Sequence, residues 1–418
     1  MTTQELTKQK ALLWAAQFEN CCFLDSNHYT DHYSSYEVLI AAGSKQVLST
    51  SEGNAFAELK SFYDANQSWM FGLLGYDLKN EIELLNSSQP DELGFPDLFF
   101  FIPEYVIGIK NDAIEIILGN SDILEQISQL EIKQQAWSNT ELQIEQKLEK
   151  EQYLNVIDEI RSHINRGDIY EVTFCQEFFA RNARIDPLLT FQRLSEVSPT
   201  PFSGFMKIAE RYILSASPER FLCKRDNTLI SQPIKGTAGR GKDNAEDELI
   251  KAQLRGDQKE QAENVMIVDL VRNDLTKSAV AGSVQVTELF GIYSFTQVHQ
   301  MISTITCELR PDIHFIDAIK NTFPMGSMTG APKIRAMGLI DQFEKSRRGA
   351  FSGALGYITP DGNFDFNVII RSILYNAANN YMSFQVGGAI TFASDPLQEY
   401  EECMIKASAL METLKGPL

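Results

Sequence analysis

Residues 262–275 of this 418-residue chain read Ala-Glu-Asn-Val-Met-Ile-Val-Asp-Leu-Val-Arg-Asn-Asp-Leu, a stretch with the periodicity of an α-helix. Its apolar residues recur at helical spacing, at Val265, Ile267, Val268, Leu270 and Val271. The helical pattern extends back toward Ala245, and Glu260 and Glu263 lie three residues apart within it. Residues at this spacing share a helix face, so the pattern predicts that the two carboxylates point the same way.

A second helix near the C-terminus carries the same arrangement. Residues 394–396 read Ser-Asp-Pro, which predicts a capping residue followed by a proline in the first turn. In the helix that follows, Glu399, Glu402 and Lys406 share one face. Each group by itself is typical of a solvated surface, where the Glu402–Lys406 pair stabilises a helix by about 0.2–0.5 kcal/mol. Two such carboxylate pairs suit a hard, oxygen-preferring cation, and we expect Mg²⁺ with an anionic substrate.

The composition narrows the class of protein. With 44% hydrophobic and 22% charged residues, the chain is typical of a globular protein large enough to bury an active site. A formal net charge of −19 argues against nucleic acid or an anionic membrane as the main partner, because both need a basic surface. The six cysteines form no Cys-x-x-Cys pair, and no apolar run approaches the roughly 20 residues of a membrane span. We therefore expect a cytoplasmic protein.

The chain divides into two regions of different character. A densely charged segment at residues 146–151 separates a smaller, strand-rich region, 1–145, from a larger region, 146–418, in which helices and strands alternate. Apolar runs at 98–103 and 105–109 are typical of buried strands in the first region. The pattern predicts an α+β protein with a catalytic region behind a smaller N-terminal one.

Lys235 lies in a stretch of unusual backbone composition. Residues 231–241 read Ser-Gln-Pro-Ile-Lys-Gly-Thr-Ala-Gly-Arg-Gly, in which Pro233 stiffens one side and three glycines loosen the other. We interpret this stretch as a loop. From the fragment alone, the lysine is either a surface cation on a turn or an amine nucleophile.

The longer motifs resemble those of the chorismate-utilising enzymes, the family of anthranilate, isochorismate, salicylate and aminodeoxychorismate synthases. The resemblance starts from residues 217–221 (Ser-Pro-Glu-Arg-Phe), 231–241 and 262–275. Further matching segments follow at 297–303, 324–333, 356–357, 370–371 and 399–406, with weaker N-terminal ones at 23–27 and 71–78. The resemblance implies the fold of anthranilate synthase component I, in which two antiparallel β-sheets pack face to face with helices outside.

The resemblance also implies roles for individual residues. Glu263 and Glu402 match direct Mg²⁺ ligands, and Glu260 and Glu399 match residues that hold metal-bound waters. The positions that match contacts to chorismate are Thr237, Ser327, Arg371, Lys406 and the backbone of Gly387, Gly388 and Ala389. Many members have glycine in place of Ala389. An alanine still donates its N–H, so we expect the carboxylate cradle to be retained if this residue does not need a positive φ.

Two positions indicate which of these enzymes the chain resembles. Isochorismate and salicylate synthases carry a water-activating lysine where this chain has Glu171. Water addition at C2 of the ring is therefore disfavoured, although a carboxylate could itself act as a base. Lys235 stands where most members have alanine and where the aminodeoxychorismate branch has lysine. The implied chemistry is attack of this amine at C2 with loss of the C4 hydroxyl, followed by entry of ammonia at C4. Glu219 is the candidate acid and base, with an ion pair to Arg220 or another cation as the alternative.

The remaining implications concern a histidine, a partner and the product. His299 matches a residue near the ring, and we assign it a positioning role. No Gly-x-Cys-x-Gly motif surrounds any cysteine, so ammonia is expected from a separate glutamine amidotransferase subunit in a heterodimer. The expected product is 4-amino-4-deoxychorismate, made by a transaminase-class enzyme of folate biosynthesis. The alternatives are anthranilate synthase component I and a non-catalytic subunit that binds chorismate or serves as a scaffold.

Overall fold

Two large antiparallel sheets with helices around them make up the structure, a computed structural model that describes residues 3–51, 53–110, 113–132 and 142–415. Within these ranges the sheets contain 11 and 10 strands, and every paired strand is antiparallel to its neighbour. The α+β class and the pair of antiparallel sheets expected from the sequence are confirmed. In the same ranges, no helix combines the length and the apolar character needed to cross a membrane.

The helices are α1 Thr3–Ala15, α2 Ala55–Asn66, α3 Lys79–Ile82, α4 Asp122–Gln129, α5 Lys150–Asn165, α6 Pro187–Val197, α7 Asn244–Gly256, α8 Gln258–Thr276, α9 Phe315–Thr322, α10 Lys333–Phe343 and α11 Pro396–Lys415. The strands are β1 Asn20–Asp25, β2 Val38–Ala42, β3 Gln46–Thr50, β4 Met70–Leu74, β5 Leu98–Ile102, β6 Tyr105–Lys110, β7 Ala113–Leu118, β8 Glu145–Gln146, β9 Glu171–Ala180, β10 Phe202–Ile208, β11 Arg211–Ser217, β12 Arg220–Arg225, β13 Thr228–Gln232, β14 Ile234–Gly239, β15 Gln285–Ser294, β16 Val298–Glu308, β17 Gly330–Ala331, β18 Ala354–Ile358, β19 Phe364–Asn367, β20 Ser372–Asn376 and β21 Tyr381–Ile390.

Strands from both halves of the chain share each sheet. The first sheet has the order β17-β9-β21-β20-β11-β10-β1-β2-β6-β7, with β8 beside β9. The second has the order β14-β16-β13-β12-β19-β18-β4-β5-β3, with β15 beside β16. The strands expected at 98–103 and 105–109 are β5 and β6, one in each sheet. The N-terminal strands therefore form one flank of both sheets, and the strands after residue 145 form the other.

The core lies on both faces of the first sheet. In β2, Leu39 and Ala41 point toward the second sheet and belong to the apolar cluster between the sheets. The alternate residues Val38, Ile40 and Ala42 belong to a second cluster under the outer helices. Because both faces of this strand are covered, its sequence is continuously apolar rather than alternating.

Two local predictions were wrong. The helical pattern from Ala245 to Leu275 is two helices, because Asp257 ends α7 and caps α8 by accepting hydrogen bonds from the N–H groups of Lys259 and Glu260 at 2.9 and 3.1 Å. The stretch 231–241, which we interpreted as a loop, contains the edge strand β14. The strand is paired with β16 through an irregular register and tolerates its glycines there.

Candidate active site

The predicted site residues gather at the flank of the molecule opposite to the N-terminal strands. Here β14 forms the edge of one sheet, and β9 lies next to the short edge strand β17 of the other. Helix α8 packs against β14 and carries Glu260 and Glu263, and α11 packs against β21 and carries Glu399 and Glu402. The two carboxylate helices thus pack on two different sheets at this flank.

Lys235 extends from β14 across to the other sheet. Its Nζ lies 2.8 Å from Oε1 of Glu171 at the start of β9, and the side chains are 11% and 0% exposed. Burial opposes the charge of Lys235, but the carboxylates of Glu171, Glu263 and Glu219 outweigh it and raise its pKa. The reading of Lys235 as a surface cation is therefore wrong, and the side chain is a buried ammonium group.

The backbone of Lys235 is fixed from helix α8. The side-chain NH₂ group of Asn264 donates to the Lys235 carbonyl at 3.4 Å. The side-chain oxygen of Asn264 accepts from the Ser303 hydroxyl at 2.6 Å. Asn264 is a positioning residue that our sequence reasoning missed. Its place directly after Glu263 was the available signal, since a polar residue on the buried side of a helix needs a partner.

Glu219 is buried next to this lysine, just before β12, with 4% exposure. Burial raises its pKa to about 7, against the opposing effects of the Ser327 hydroxyl, the Lys235 charge, the Ile234 N–H and the Arg371 charge. The alternative of an ion pair with Arg220 is wrong. Arg220 points away from Glu219 and binds instead to Asp31, to Gln232 and, at 2.9 Å, to Asp365.

Two polar side chains near Glu219 lack a well-formed hydrogen bond within the described residues. The buried Ser327 hydroxyl lies near enough to lower the pKa of Glu219 but makes no hydrogen bond of good geometry, and the Arg371 side chain donates none. Burial lowers the pKa of Arg371, although Glu219 acts in the opposite direction. Arg371 also has a left-handed backbone, with φ of 49°. An unpaired guanidinium and an unpaired hydroxyl beside a buried carboxyl group can receive a polar, anionic ligand.

Residues 387–389 lie on β21 as an extended backbone. They pair with β9 on one side, with Ala389 opposite Thr173. On the other side, β20 pairs only with residues 381–383, so the later part of β21 has a free edge within the described residues. Neither glycine nor Ala389 has a positive φ. The condition we placed on alanine at this position is therefore met.

The four predicted metal-binding glutamates lie on two helices and interact electrostatically. Burial raises the pKa of Glu263 to about 7. The Lys235 charge opposes this shift, and the neighbouring carboxylates of Glu171 and Glu260 add to it. Burial and nearby carboxylates, Glu402 among them, raise the pKa values of Glu260 and Glu399 despite the opposing effect of nearby cations. Glu402 itself is paired with Lys406 at 2.7 Å.

The four glutamates have the right chemistry to bind a cation, but their side chains are not gathered into a preformed metal site. Among the residues that the structure describes, no three histidine, cysteine or carboxylate side chains lie close enough together to hold a metal ion. The donor set nevertheless fits Mg²⁺, because its members are hard oxygen ligands whose mutual repulsion a divalent cation would relieve. The Mg²⁺ site stays a prediction.

His299 and Thr237 form no hydrogen bond with Lys235 or Glu219 within the described residues. The ring nitrogens of buried His299 lie 2.9 Å from Asp247 and 2.9 Å from Ser294, and neither contacts Lys235 or Glu219. Thr237 is exposed on β14, opposite Gln300 of β16. The positioning role of His299 and the substrate contact of Thr237 stay predictions.

Comparison with known proteins agrees with this arrangement. The chorismate binding enzyme family matches residues 11–412. Aminodeoxychorismate synthase component 1 of Escherichia coli K12 is 35% identical over 84% of this chain and 77% of its own length. Anthranilate synthase component 1 of Thermus thermophilus is 33% identical over 82% of this chain and 77% of its own.

Solved structures share the fold. Anthranilate synthase component I from Streptococcus pneumoniae superposes with a TM-score of 0.79 at 23% identity, covering 92% of this chain and 95% of its own. The menaquinone-specific isochorismate synthase from Escherichia coli superposes with a TM-score of 0.76 at 18% identity, covering 97% of this chain and 91% of its own. With a family match over almost all of its length, the chain belongs to the chorismate binding enzymes.

Proposed function

We propose that this chain aminates chorismate at C4, the reaction of aminodeoxychorismate synthase component 1. Relatives with that name and a relative named anthranilate synthase are almost equally similar to it, at 35% and 33% identity. The proposal therefore depends on one observation, the buried ammonium group of Lys235 within 2.8 Å of Glu171. A buried lysine among carboxylates is suited to act as an amine nucleophile once it loses its proton.

The substrate's carboxylates are assigned to the cationic and amide donors. The Arg371 side chain donates no hydrogen bond to the described residues, so binding of a substrate carboxylate would break none. Lys406 lies beside β21, where its Nζ donates to the Gly387 carbonyl at 2.9 Å. The free edge of β21 supplies backbone donors along the same wall. Glu263 and Glu402 would hold Mg²⁺ directly and Glu260 and Glu399 through water, and the bound ion would supply charge neutralisation for a substrate carboxylate.

The proposed reaction consists of two allylic displacements. The neutral amine of Lys235 forms a bond to C2, both ring double bonds shift toward C4, and the C4 hydroxyl departs as water with a proton from Glu219. Ammonia then bonds to C4, both double bonds shift back, and the N–C2 bond breaks to release Lys235. Glu219 recovers a proton from the new ammonium group. Chorismate and ammonia thus give 4-amino-4-deoxychorismate and water.

The wider setting is also part of the proposal. Ammonia would come from glutamine through a separate amidotransferase subunit, and the product would serve folate synthesis. The six cysteines are all buried and unpaired, which is consistent with a reducing cytoplasm. Transamination of this kind places the enzyme among the transferases.

The test is the mass of the product formed from chorismate, ammonium and Mg²⁺. We expect 4-amino-4-deoxychorismate from the wild type, and a loss of its formation of at least about 10³-fold in Lys235→Ala. Lys224→Ala is the matched control, because Lys224 is also a buried strand lysine of the same sheet and should tolerate removal.

Other products identify other functions. Fluorescent anthranilate without an added lyase would show that the chain is an anthranilate synthase. Chorismate binding without ammonium-dependent turnover would indicate a non-catalytic subunit. A Lys235→Ala variant with full rate and unchanged C4 product would exclude the covalent lysine.

A further inference from the structure

The partner of Lys235 has no other function in the fold. Glu171 is 0% exposed, and neither of its oxygens accepts a hydrogen bond of good geometry within the described chain. Within the described residues its carboxylate forms one ion pair, with the Lys235 ammonium at 2.8 Å. A buried carboxylate normally accepts several hydrogen bonds, because leaving its oxygens unpaired is unfavourable. One cation as the sole partner points to a chemical role.

The backbone holds this carboxylate in place. The N–H of Tyr170 donates to the Ala331 carbonyl at 2.7 Å, and the N–H of Thr173 donates to the Thr329 carbonyl at 2.8 Å. Between these bonds, Gly330 approaches so closely that a Cβ there would lie 2.2 Å from the Glu171 carbonyl oxygen. The start of β9 is thus fixed against the strand that leads from Ser327.

The other acidic groups around Lys235 have different assignments. Glu260 and Glu263 face it from α8, Glu402 from α11, and Glu219 from the start of β12. The first three belong to the proposed Mg²⁺ site, and Glu219 must hold a proton for the C4 hydroxyl. Glu171 alone touches Nζ and remains free to accept its proton.

We propose that Glu171 is the base that activates Lys235. The proton moves from Nζ to Oε1, and the freed lone pair forms the bond to C2. When the N–C2 bond breaks in the second displacement, the lysine leaves as a neutral amine and takes the same proton back from Glu171. Neither the proton count nor the net charge of the pair changes over the cycle. The inference rests on the proposed function and adds the source of the nucleophile.

The pair has a measurable signature in the pH dependence of adduct formation. Both proteins need protonated Glu219 for this step, so the ratio of their rates isolates the pair. In the wild type the proton stays within the pair, whereas in Glu171→Gln it must leave to solvent. The rate of Lys235 adduct formation in Glu171→Gln should therefore lie about 100-fold below that of the wild type at pH 7, and this deficit should shrink about tenfold per pH unit above it. A merely structural role would lower the rate equally at every pH.

The experiment measures the adduct by mass spectrometry of enzyme quenched with chorismate and Mg²⁺ before ammonium is added. Glu171→Asp should retain the wild-type pH profile at a reduced rate. Glu177→Gln is the matched control, since Glu177 is a buried carboxylate of the same strand that accepts from the Tyr381 hydroxyl. It should keep both rate and profile.

The outcomes separate the inference from the function. A Glu171→Gln variant with the wild-type rate and profile would refute the role of Glu171 and leave C4 amination intact. If Glu171→Gln does not fold, a Glu171→Asp rate whose deficit relative to the wild type shrinks about tenfold per pH unit would refute it. Failure of the wild type to form any adduct or aminated product would instead refute the proposed function itself.

Discussion

Glu219 shows how one buried side chain links stability to chemistry. Burial raises its pKa from 4.5 to about 7. A carboxyl group whose pKa is raised in the folded state destabilises the fold when it is ionised. For Glu219 this destabilisation is complete above pH 7, and it decreases as the pH falls toward 4.5. Such a group can hold a proton at neutral pH, as an acid for a departing hydroxyl must.

The replacement Glu219→Gln should therefore stabilise the fold only at higher pH. We expect a gain of about 1–3 kcal/mol in the free energy of unfolding at pH 8 and almost none at pH 4.5, with catalytic turnover lost. Urea unfolding at the two pH values measures this difference. An equal change at both would mean that Glu219 does not titrate between them.

At the residue scale, sequence reasoning found the groups but not their pairing. Lys235, Glu219 and Arg371 come from separate motifs and lie near one another. The contact between Lys235 and Glu171 could not be read from the chain, because the two residues stand on strands of different sheets. Such a contact is fixed by how the sheets pack, and no local spacing encodes it.

At the element scale, β21 sets the geometry of the proposed carboxylate cradle. Its glycines differ in what surrounds them. A Cβ at Gly387 would lie 1.9 Å from the Phe174 carbonyl oxygen, whereas one at Gly388 would meet the Glu399 carboxylate at 3.2 Å. Gly387 is thus required by the close approach of β9, whereas a side chain at Gly388 would need only a small shift of the Glu399 carboxylate.

We expect Gly387→Ala to lower the free energy of unfolding by about 2 kcal/mol or more, since the strand must move away from β9. Ala389→Gly is the control on the same strand and should cost about 0.5–1 kcal/mol through backbone entropy. Thermal or urea unfolding compares the two. Equal losses would show that the close contact at Gly387 relaxes freely.

The helices were the most predictable elements. The cap expected at Asp395 is present, with its carboxylate accepting from the N–H groups of Leu397 and Gln398 at 3.0 Å each, and α11 begins at Pro396. The break between α7 and α8 was missed, because Asp257 interrupts the chain without disturbing the apolar spacing. The strand β14 was missed because three glycines resemble a loop when its partner is unknown.

At the scale of the whole molecule, the acidic chain concentrates four carboxylates at one flank. We expect Mg²⁺ to raise the melting temperature of the wild type by several degrees at about 100 times its Kd, because it binds the folded state alone. The double variant Glu263→Gln/Glu402→Gln should show little of this shift. Differential scanning calorimetry at matched ionic strength measures it, and an equal shift in both proteins would place the ion elsewhere.

The overall architecture depended on the family resemblance. Residue patterns alone supported an α+β protein with a boundary near residue 145. They did not show that the N-terminal strands would join both sheets, because strand partners distant in the chain leave no periodic signal. The resemblance supplied only the pair of packed antiparallel sheets, which the structure confirms.

The shared sheets have a consequence for dissecting the gene. β1 pairs with β10 and β4 pairs with β18, so each sheet continues across the junction between the two regions. A fragment that starts after residue 145 would carry every residue of the proposed active site yet expose two long, apolar strand edges to water. Exposed edges of this kind recruit other strands and promote aggregation. A truncated enzyme should therefore be insoluble when expressed alone, and co-expression of the missing segment should be the way to recover it.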